Sequence, residues 1–243
     1  LIPIETSNEE YLFGIQIRVD TYPVLNMNDF LNDISSRKSS PLSSSFIYNP
    51  NLHCFLSEDD FILHQLIQIA RDKELFIETF SMESKSGIGK DLLIIPPTAW
   101  MNLLPLLKRA SNVVLEVNGE ELRFHYLEGP PPVQFFLQDA DNGNYRLRVD
   151  GLDEMMLLTG YYSVLVKENL YSLNSSDFER LYEVKRMFKE PSRKEIHILN
   201  DQLHVFLKEV VPRLKKIGKV QLSKSINEIL MKKPLIAKLY LDR

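Results

Sequence analysis

The strongest constraint on the fold is a β-hairpin signal in the middle of the chain, VVLEVNGEELRFHYL at 113–127. Asn118 and Gly119 tolerate the positive φ angles that a two-residue type I′ turn requires, and strand-forming runs flank them. A second hairpin is predicted at 133–150, around DADNGN. Hairpins join antiparallel strands, so the sequence disfavours an all-parallel sheet.

Helical signals separate the hairpins from other strand-like segments. Ser57 and Asp60 have capping-box spacing at the start of a helix that should run to Arg71. Its predicted apolar face comprises Phe61, Leu63, Leu66, Ile67 and Ile69. Further helices are predicted at 28–34, 98–109, 175–188 and 201–214, and further strands at 11–19, 46–56, 75–80, 91–96, 161–166, 169–173, 195–199 and 234–243. We therefore expect an α+β fold, with mixed or mostly antiparallel twisted sheets and helices on their faces.

A break at GPPP, residues 129–132, predicts two lobes, 1–132 and 133–243. Segments that begin at 51, 103 and 132 resemble, in the same order, segments that begin at 169, 210 and 234. An internal duplication would explain this, and chance similarity of amphipathic patterns is the alternative. Under duplication, 235–243 is the first arm of a hairpin whose second strand is missing, so the second lobe is expected to be truncated.

Composition limits the class of protein. The chain has 243 residues, of which 44% are hydrophobic, enough for a substantial core. It has no apolar run long enough to cross a membrane and a single cysteine, Cys54, which suits a reducing compartment. We expect a cytoplasmic protein without membrane contact. Because the chain begins at Leu1, we also expect it to be a piece of a longer protein.

The stretch SKSGIGKDLLIIPP at 84–97 resembles a phosphate-binding loop only superficially. A P-loop needs glycine where Ser84 stands and a hydroxyl residue where Asp91 stands, and a helix should follow. LLIIPP instead predicts a strand. We interpret the stretch as a hairpin loop and predict no cofactor in this chain.

Other catalytic and metal-binding patterns are also missing from the sequence. The five histidines, at 53, 64, 125, 197 and 204, do not have the spacing of zinc ligands. Cys54 lies in no recognisable nucleophile motif and is expected to be a buried, inert thiol. We predict no catalytic residue and no metal ligand.

Charge is distributed unevenly. Residues 185–243 contain 15 basic and 6 acidic residues, whereas 1–184 contain 14 and 27. The C-terminal quarter could face a polyanion such as DNA, or the acidic and basic parts could attract each other. The candidate DNA contacts, of which the first four are expected along one helix, are Arg213, Lys215, Lys216, Lys219, Lys224, Lys232 and Lys233.

The order of several segments resembles the bacterial Snf-type (sucrose-nonfermenting) helicase-associated region. The segments are FIYNPNLHCFLSEDD at 46–60, LLIIPPTAWMNLLPLL at 92–107, PPPVQFFLQDADNGNYRLRV at 130–149, GYYSVLVKENLYSL at 160–173, EIHILNDQLHVFLKEVVPRL at 195–214 and PLIAKLYLDR at 234–243. They are structural junctions, and their order carries the resemblance.

The resemblance implies a bacterial accessory region that precedes an ATP-driven motor moving on duplex DNA, often after a zinc-binding SWIM module. It implies that ATP and Mg²⁺ bind the motor domain, that this motor is one partner, and that no catalytic residue lies here. Three hypotheses follow: a region that positions DNA or regulates the motor, a module that recruits the motor to a partner protein, or a small-molecule enzyme. The last would need a deep pocket with converging ionisable groups.

Overall fold

Short strands and six helices make up the computed structural model, which describes residues 1–5, 11–72, 89–189 and 195–231. The helices are α1 (Met27–Ser35), α2 (Ser57–Arg71), α3 (Pro97–Leu107), α4 (Ser175–Phe188), α5 and α6 (Lys224–Met231). Helix α5 joins three segments, Leu203–Val205, Phe206–Val210 and Val211–Ile217, of which the middle one is π-helical. Single 3₁₀ turns occur at Asp141–Gly143 and Asn200–Gln202.

The strands form mixed and antiparallel sheets, which confirms the predicted α+β class. They are β1 (Ile2–Glu5), β2 (Tyr11–Ile15), β3 (Arg18–Val19), β4 (Tyr22–Pro23), β5 (Ser40–Pro41), β6 (Ile47–Tyr48), β7 (Leu93–Ile95), β8 (Val114–Val117), β9 (Glu120–Arg123), β10 (His125–Glu128), β11 (Gln134–Asp139), β12 (Tyr145–Asp150), β13 (Met155–Leu158), β14 (Ser163–Val166), β15 (Asn169–Ser172), β16 (Glu195–Ile198) and β17 (Lys219–Leu222).

The chain forms two compact units. Unit 1 comprises Leu1–Gly129 and Met155–Leu173, and unit 2 comprises Pro130–Glu154 and Asn174–Arg243. The chain therefore passes between the units three times, and the first passage is near the boundary expected from GPPP. The sequence assigned 155–173 to the second lobe, whereas these residues are in unit 1. The division into two folding domains, the duplication and the truncated end stay predictions.

Unit 1 contains an antiparallel sheet in the order β1-β2-β7 and a mixed sheet in the order β10-β15-β14-β13. Helix α2 packs against α1 and α3. The predicted Asn-Gly hairpin is confirmed as β8-β9, with φ of 54° at Asn118 and 79° at Gly119. These are the angles of a type I′ turn, so the residue choice at the turn fixes the hairpin register.

An aromatic cluster fills the core of unit 1. The Phe13 ring stacks on Trp100 at 4.8 Å between centroids, and Tyr161 meets both rings edge-on at 5.6 Å. The Tyr161 hydroxyl donates to the Ile95 carbonyl and accepts from the Phe13 N–H at 3.2 Å. Phe13 and Ile95 lie opposite each other in β2 and β7. Tyr161 thus joins 155–173 to the antiparallel sheet of the same unit.

Unit 2 is built on a four-stranded mixed sheet in the order β16-β12-β11-β17. The predicted hairpin at 133–150 forms its centre, as β11 and β12, and β17 pairs with β11 in parallel. Phe135, Leu137 and Leu147 are buried on one face. Because side chains alternate across a strand, the intervening residues project from the opposite face.

Helices cover the buried face of this sheet. Helix α5 packs against α4 and β17, and α6 packs against β11. Gly218 links α5 to β17 where the chain passes very close to β11: a Cβ atom there would lie 2.6 Å from the Val133 carbonyl oxygen and 2.7 Å from the Phe135 ring. Glycine at this position therefore lets the edge strand approach the sheet.

Three local predictions at the start of α2 are wrong. The helix spans Ser57–Arg71 as expected, but its N-cap is Leu56, which has no capping side chain, so Ser57 is not the cap. Phe61 is 65% exposed and does not belong to the buried face. Cys54 is exposed, because it lies in the turn region before the helix and not within a packed strand.

The loop that resembled a phosphate site is only partly described, and the strand predicted at 75–80 lies outside the described residues. The residues after it, Leu93–Ile95, form the predicted strand and not a helix. The terminal strand predicted at 234–243 also lies outside the described residues. Within the described ranges, no helix is both long enough and apolar enough to cross a membrane.

Candidate nucleic-acid interface

The predicted basic residues lie in unit 2, where the structure describes five of the seven. Arg213, Lys215 and Lys216 are exposed on the last segment of α5. Their neighbours Val211, Leu214 and Ile217 are buried at intervals of three residues. The helical period therefore points the apolar residues into unit 2 and the cations away from it. Lys232 and Lys233 lie outside the described residues.

Arg213, Lys215 and Lys216 on α5 have no carboxylate partners among the described residues. Arg180, on α4 of the same unit, shows the contrast: its guanidinium lies 2.7 Å from the Asp177 carboxylate. A cluster of unpaired cations can contact phosphate oxygens without first breaking an internal ion pair.

The structure separates Lys219 from the helix, so the prediction that these four residues follow one helix is wrong. Gly218 ends α5, and Lys219 is the first residue of β17. Its register partner is Gln134, which is exposed, whereas Val220 pairs with the buried Phe135. Lys219 therefore projects from the sheet face opposite the one that α5 covers.

Lys224 occupies a third position, at the start of α6. Both carboxylate oxygens of Asp139, at the end of β11, accept from the Ser225 hydroxyl at 2.6 Å. The hydrogen bonds from Ser225 and Ser223 lower the pKa of the Asp139 carboxyl. An anion therefore already occupies the N-terminal end of α6, which leaves that end poorly suited to phosphate.

The sheet of unit 2 presents an exposed face that the sequence analysis did not single out. Register and alternation place these residues on what we call the open sheet face: Gln134, Phe136, Gln138, Arg146, Arg148, Asp150, Glu195, His197, Lys219 and Gln221. A usable signal existed in YRLRVD, residues 145–150, where apolar and polar residues alternate. That pattern predicts a half-buried strand with one polar face.

Charges on the open sheet face are largely paired. The Arg148 guanidinium lies 3.1 Å from the Asp150 carboxylate and 4.9 Å from the centre of the Phe136 ring. Glu195 lies 3.7 Å from Arg146 and 3.3 Å from His197. Lys219 has no ion pair with a described residue. The face thus combines an aromatic ring, amides and fixed guanidinium groups.

Unit 1 contains a half-open cavity of about 490 Å³ with a mainly apolar lining that includes Ile15, Leu63 and Leu66. Part of its polar lining is paired: Arg18 forms an ion pair with Glu121, and the Asn112 amide donates to Asp59 at 2.9 Å. The ionisable side chains of this lining are Arg18, Asp20, Asp59, Glu116 and Glu121. Among described residues, no three His, Cys, Asp or Glu side chains are grouped as a metal site would require.

Comparison with known proteins gives one match. The model of the family described as "Bacterial SNF2 helicase associated" matches residues 92–243, which include all of unit 2 and part of unit 1. Neither the curated proteins nor the solved structures include a significant match to this chain. The expected family resemblance is therefore confirmed over most of the chain, including helix α5 and the open sheet face.

Proposed function

Since this chain belongs to the bacterial SNF2 helicase associated family, it is an accessory region of an SNF2 helicase family protein, and we propose that it positions duplex DNA for the motor. The motor domain would supply ATP binding, Mg²⁺ binding and hydrolysis, and this chain would contribute contacts but no chemistry. Such a protein would work in the bacterial cytoplasm, on the nucleoid.

One observation carries the proposal: Arg213, Lys215 and Lys216 are exposed on α5 and form no ion pair within the part of the chain that the structure describes. The buried residues of the same helix hold the three groups on one rigid element. Point charges on a helix surface match the regular phosphate backbone, which has the same charge whatever the base sequence. We therefore expect affinity for duplex DNA with little sequence preference.

The test is binding of a labelled duplex by fluorescence anisotropy at salt concentrations from about 50 to 200 mM. Three phosphate contacts on a duplex give a log–log slope of about −2.7, which corresponds to a loss of about 40-fold over that range. A variant with Arg213, Lys215 and Lys216 changed to glutamate should lose most of the affinity and most of the slope.

The matched control changes Lys38, Lys90 and Arg109, three exposed cations of unit 1, to glutamate. It alters net charge by the same amount and should retain binding. Equal losses in both variants would show that only net charge matters. No binding by the unmodified chain at the lowest salt would refute direct DNA contact.

A second candidate function, recruitment of a protein partner, is favoured by exposed apolar residues before and within the first turns of α2. Leu52 is 77% exposed, and Leu56 and Phe61 are each 65% exposed, next to the acidic Glu58 and Asp59. Apolar groups grouped at a surface are typical of protein interfaces. Changing Leu56 and Phe61 to serine should weaken binding to the motor domain or another partner, measured by titration calorimetry, without changing affinity for duplex DNA.

A further inference from the structure

We propose that the open sheet face of unit 2 binds a single strand of DNA, with a base stacked at Phe136 and Arg148. The inference rests on the proposed function only in that both ligands are DNA. It concerns a different surface, since the cations on α5 lie on the helical side of the same sheet.

The position of Phe136 is the first argument. This half-buried ring lies on the central strand β11, with Arg148 opposite it on β12 and Gln221 opposite it on β17. The Arg148 guanidinium lies 4.9 Å from the ring centre and is held by Asp150 at 3.1 Å. Because the guanidinium lies over one face of the aromatic ring, its outer plane is the stacking platform for a nucleobase, and the ring supports it from below.

The surrounding polar groups are the second argument. The Gln221 amide donates to the Gln134 side chain at 3.3 Å, and Gln138 follows Phe136 on the same face of β11. Each amide offers both donors and an acceptor, which can bond the edges of unpaired bases. In a duplex these edges lie in the grooves and the base planes are hidden, so only a single strand can use the ring and the amides together.

The charges of the open sheet face are the third argument, because they bear on which ligand it can bind. Lys219, which has no ion pair with a described residue, lies in register with Gln134 at the edge of the face. Arg146 and Arg148 add two cations, but Glu195 and Asp150 oppose them. The face therefore favours an anionic polymer only modestly, and stacking has to supply much of the affinity. None of the described residues that define this face is aliphatic, which disfavours an apolar protein partner.

The experiment titrates the 243-residue chain into labelled oligothymidylate of about 15 nucleotides and, in parallel, into a labelled duplex. With at most three cations involved, the single-strand titration should have a log–log salt slope of about −2 or shallower. Phe136→Leu, which keeps an apolar side chain but removes the ring, should weaken oligothymidylate binding at least about fivefold and leave duplex binding unchanged.

Two further variants control this result. Phe206→Leu changes another half-buried ring of unit 2, on the helical side, and should leave oligothymidylate binding unchanged. Lys219→Ala removes an exposed cation on an edge strand and should weaken oligothymidylate binding about two- to fivefold. Because this change is at the surface, the variant still tests the open sheet face if Phe136→Leu does not fold.

The outcomes separate the two proposals. Loss of single-strand binding in Phe136→Leu and Lys219→Ala, with duplex binding intact, supports the inference. No oligothymidylate binding by the unmodified chain overturns it, and the duplex titration then decides the proposed function alone. Self-association that Phe136→Leu abolishes, without oligothymidylate binding, would identify a second copy of the chain as the occupant and would also overturn the inference.

Discussion

At the scale of single residues, the hydroxyl of Tyr161 connects two strands of unit 1. It donates to the Ile95 carbonyl and accepts from the Phe13 N–H, and the residue is only 2% exposed. Tyr161→Phe keeps the ring packing in place but removes the hydrogen-bond partner of the Ile95 carbonyl and of the Phe13 N–H. We expect a loss of about 1–3 kcal/mol in the free energy of unfolding, measured in urea. The Tyr171 hydroxyl forms no hydrogen bond with a described residue, so Tyr171→Phe should change the free energy of unfolding by less than about 0.5 kcal/mol.

The same residue gives a prediction about pH. Burial raises the pKa of Tyr161 above its usual value of 10.0. Above pH 10 the unfolded chain therefore loses this proton while the folded chain keeps it, so stability falls as the pH rises. The fall should be smaller in Tyr161→Phe. Equal alkaline slopes in the two proteins would contradict the assignment of this effect to Tyr161.

Gly218 is a second decisive residue, because a side chain there meets the backbone of Val133. Gly218→Ala should cost about 1–3 kcal/mol, the usual cost of overpacking, because the Val133 carbonyl cannot move without disturbing the sheet. Gly14→Ala is the matched comparison, since its Cβ would meet the flexible end of Ile4 at 2.8 Å. Urea unfolding should rank Gly218→Ala as the more destabilising change.

At the scale of elements, Asp139 fastens the start of α6 through Ser225. These hydrogen bonds lower the pKa of the Asp139 carboxyl in the folded chain. Their contribution to stability is therefore present at pH values above the carboxyl's pKa in the unfolded chain, and it is lost as the pH falls through the pKa in the folded chain. Because Asp139 is exposed, the loss should stay below about 1 kcal/mol. Hydrogen exchange of the α6 amides, corrected for intrinsic rates, should quicken below about pH 4 and should be fast throughout in Asp139→Asn.

The elements also show what a sequence reveals about a fold. Helix α4 was predicted with its observed bounds because its signals are local: Asn174 accepts from the Asp177 N–H, and Phe178 and Leu181 are buried. Strand β17 was missed because it has four residues and pairs in parallel with β11, far away in sequence. That pairing places Lys219 on the open sheet face, whereas Arg213, Lys215 and Lys216 lie on α5. The sequence therefore predicted the basic cluster but not its division between the helix and the sheet.

At the scale of the whole molecule, the three passages between units predict how fragments behave. A fragment 1–132, the first lobe expected from sequence, lacks Tyr161 and the strands β13–β15, of which β15 pairs with β10. It should fail to fold, whereas 1–173 contains all of unit 1. Trp100 is the single tryptophan and is 1% exposed in the core of unit 1. The fluorescence emission of Trp100 should be blue-shifted in the fragment 1–173 and red-shifted in the fragment 1–132. A blue shift in both fragments would instead support the domain boundary at 132/133.

The interleaved path also orders events during translation. β10 acquires its parallel partner only after β15 has been made, some forty residues later, and the hairpin of unit 2 is synthesised in between. A ribosome that adds about 5–20 residues per second needs several seconds for this interval. The nascent chain thus completes the central hairpin of its second unit while the first still waits for its last strands.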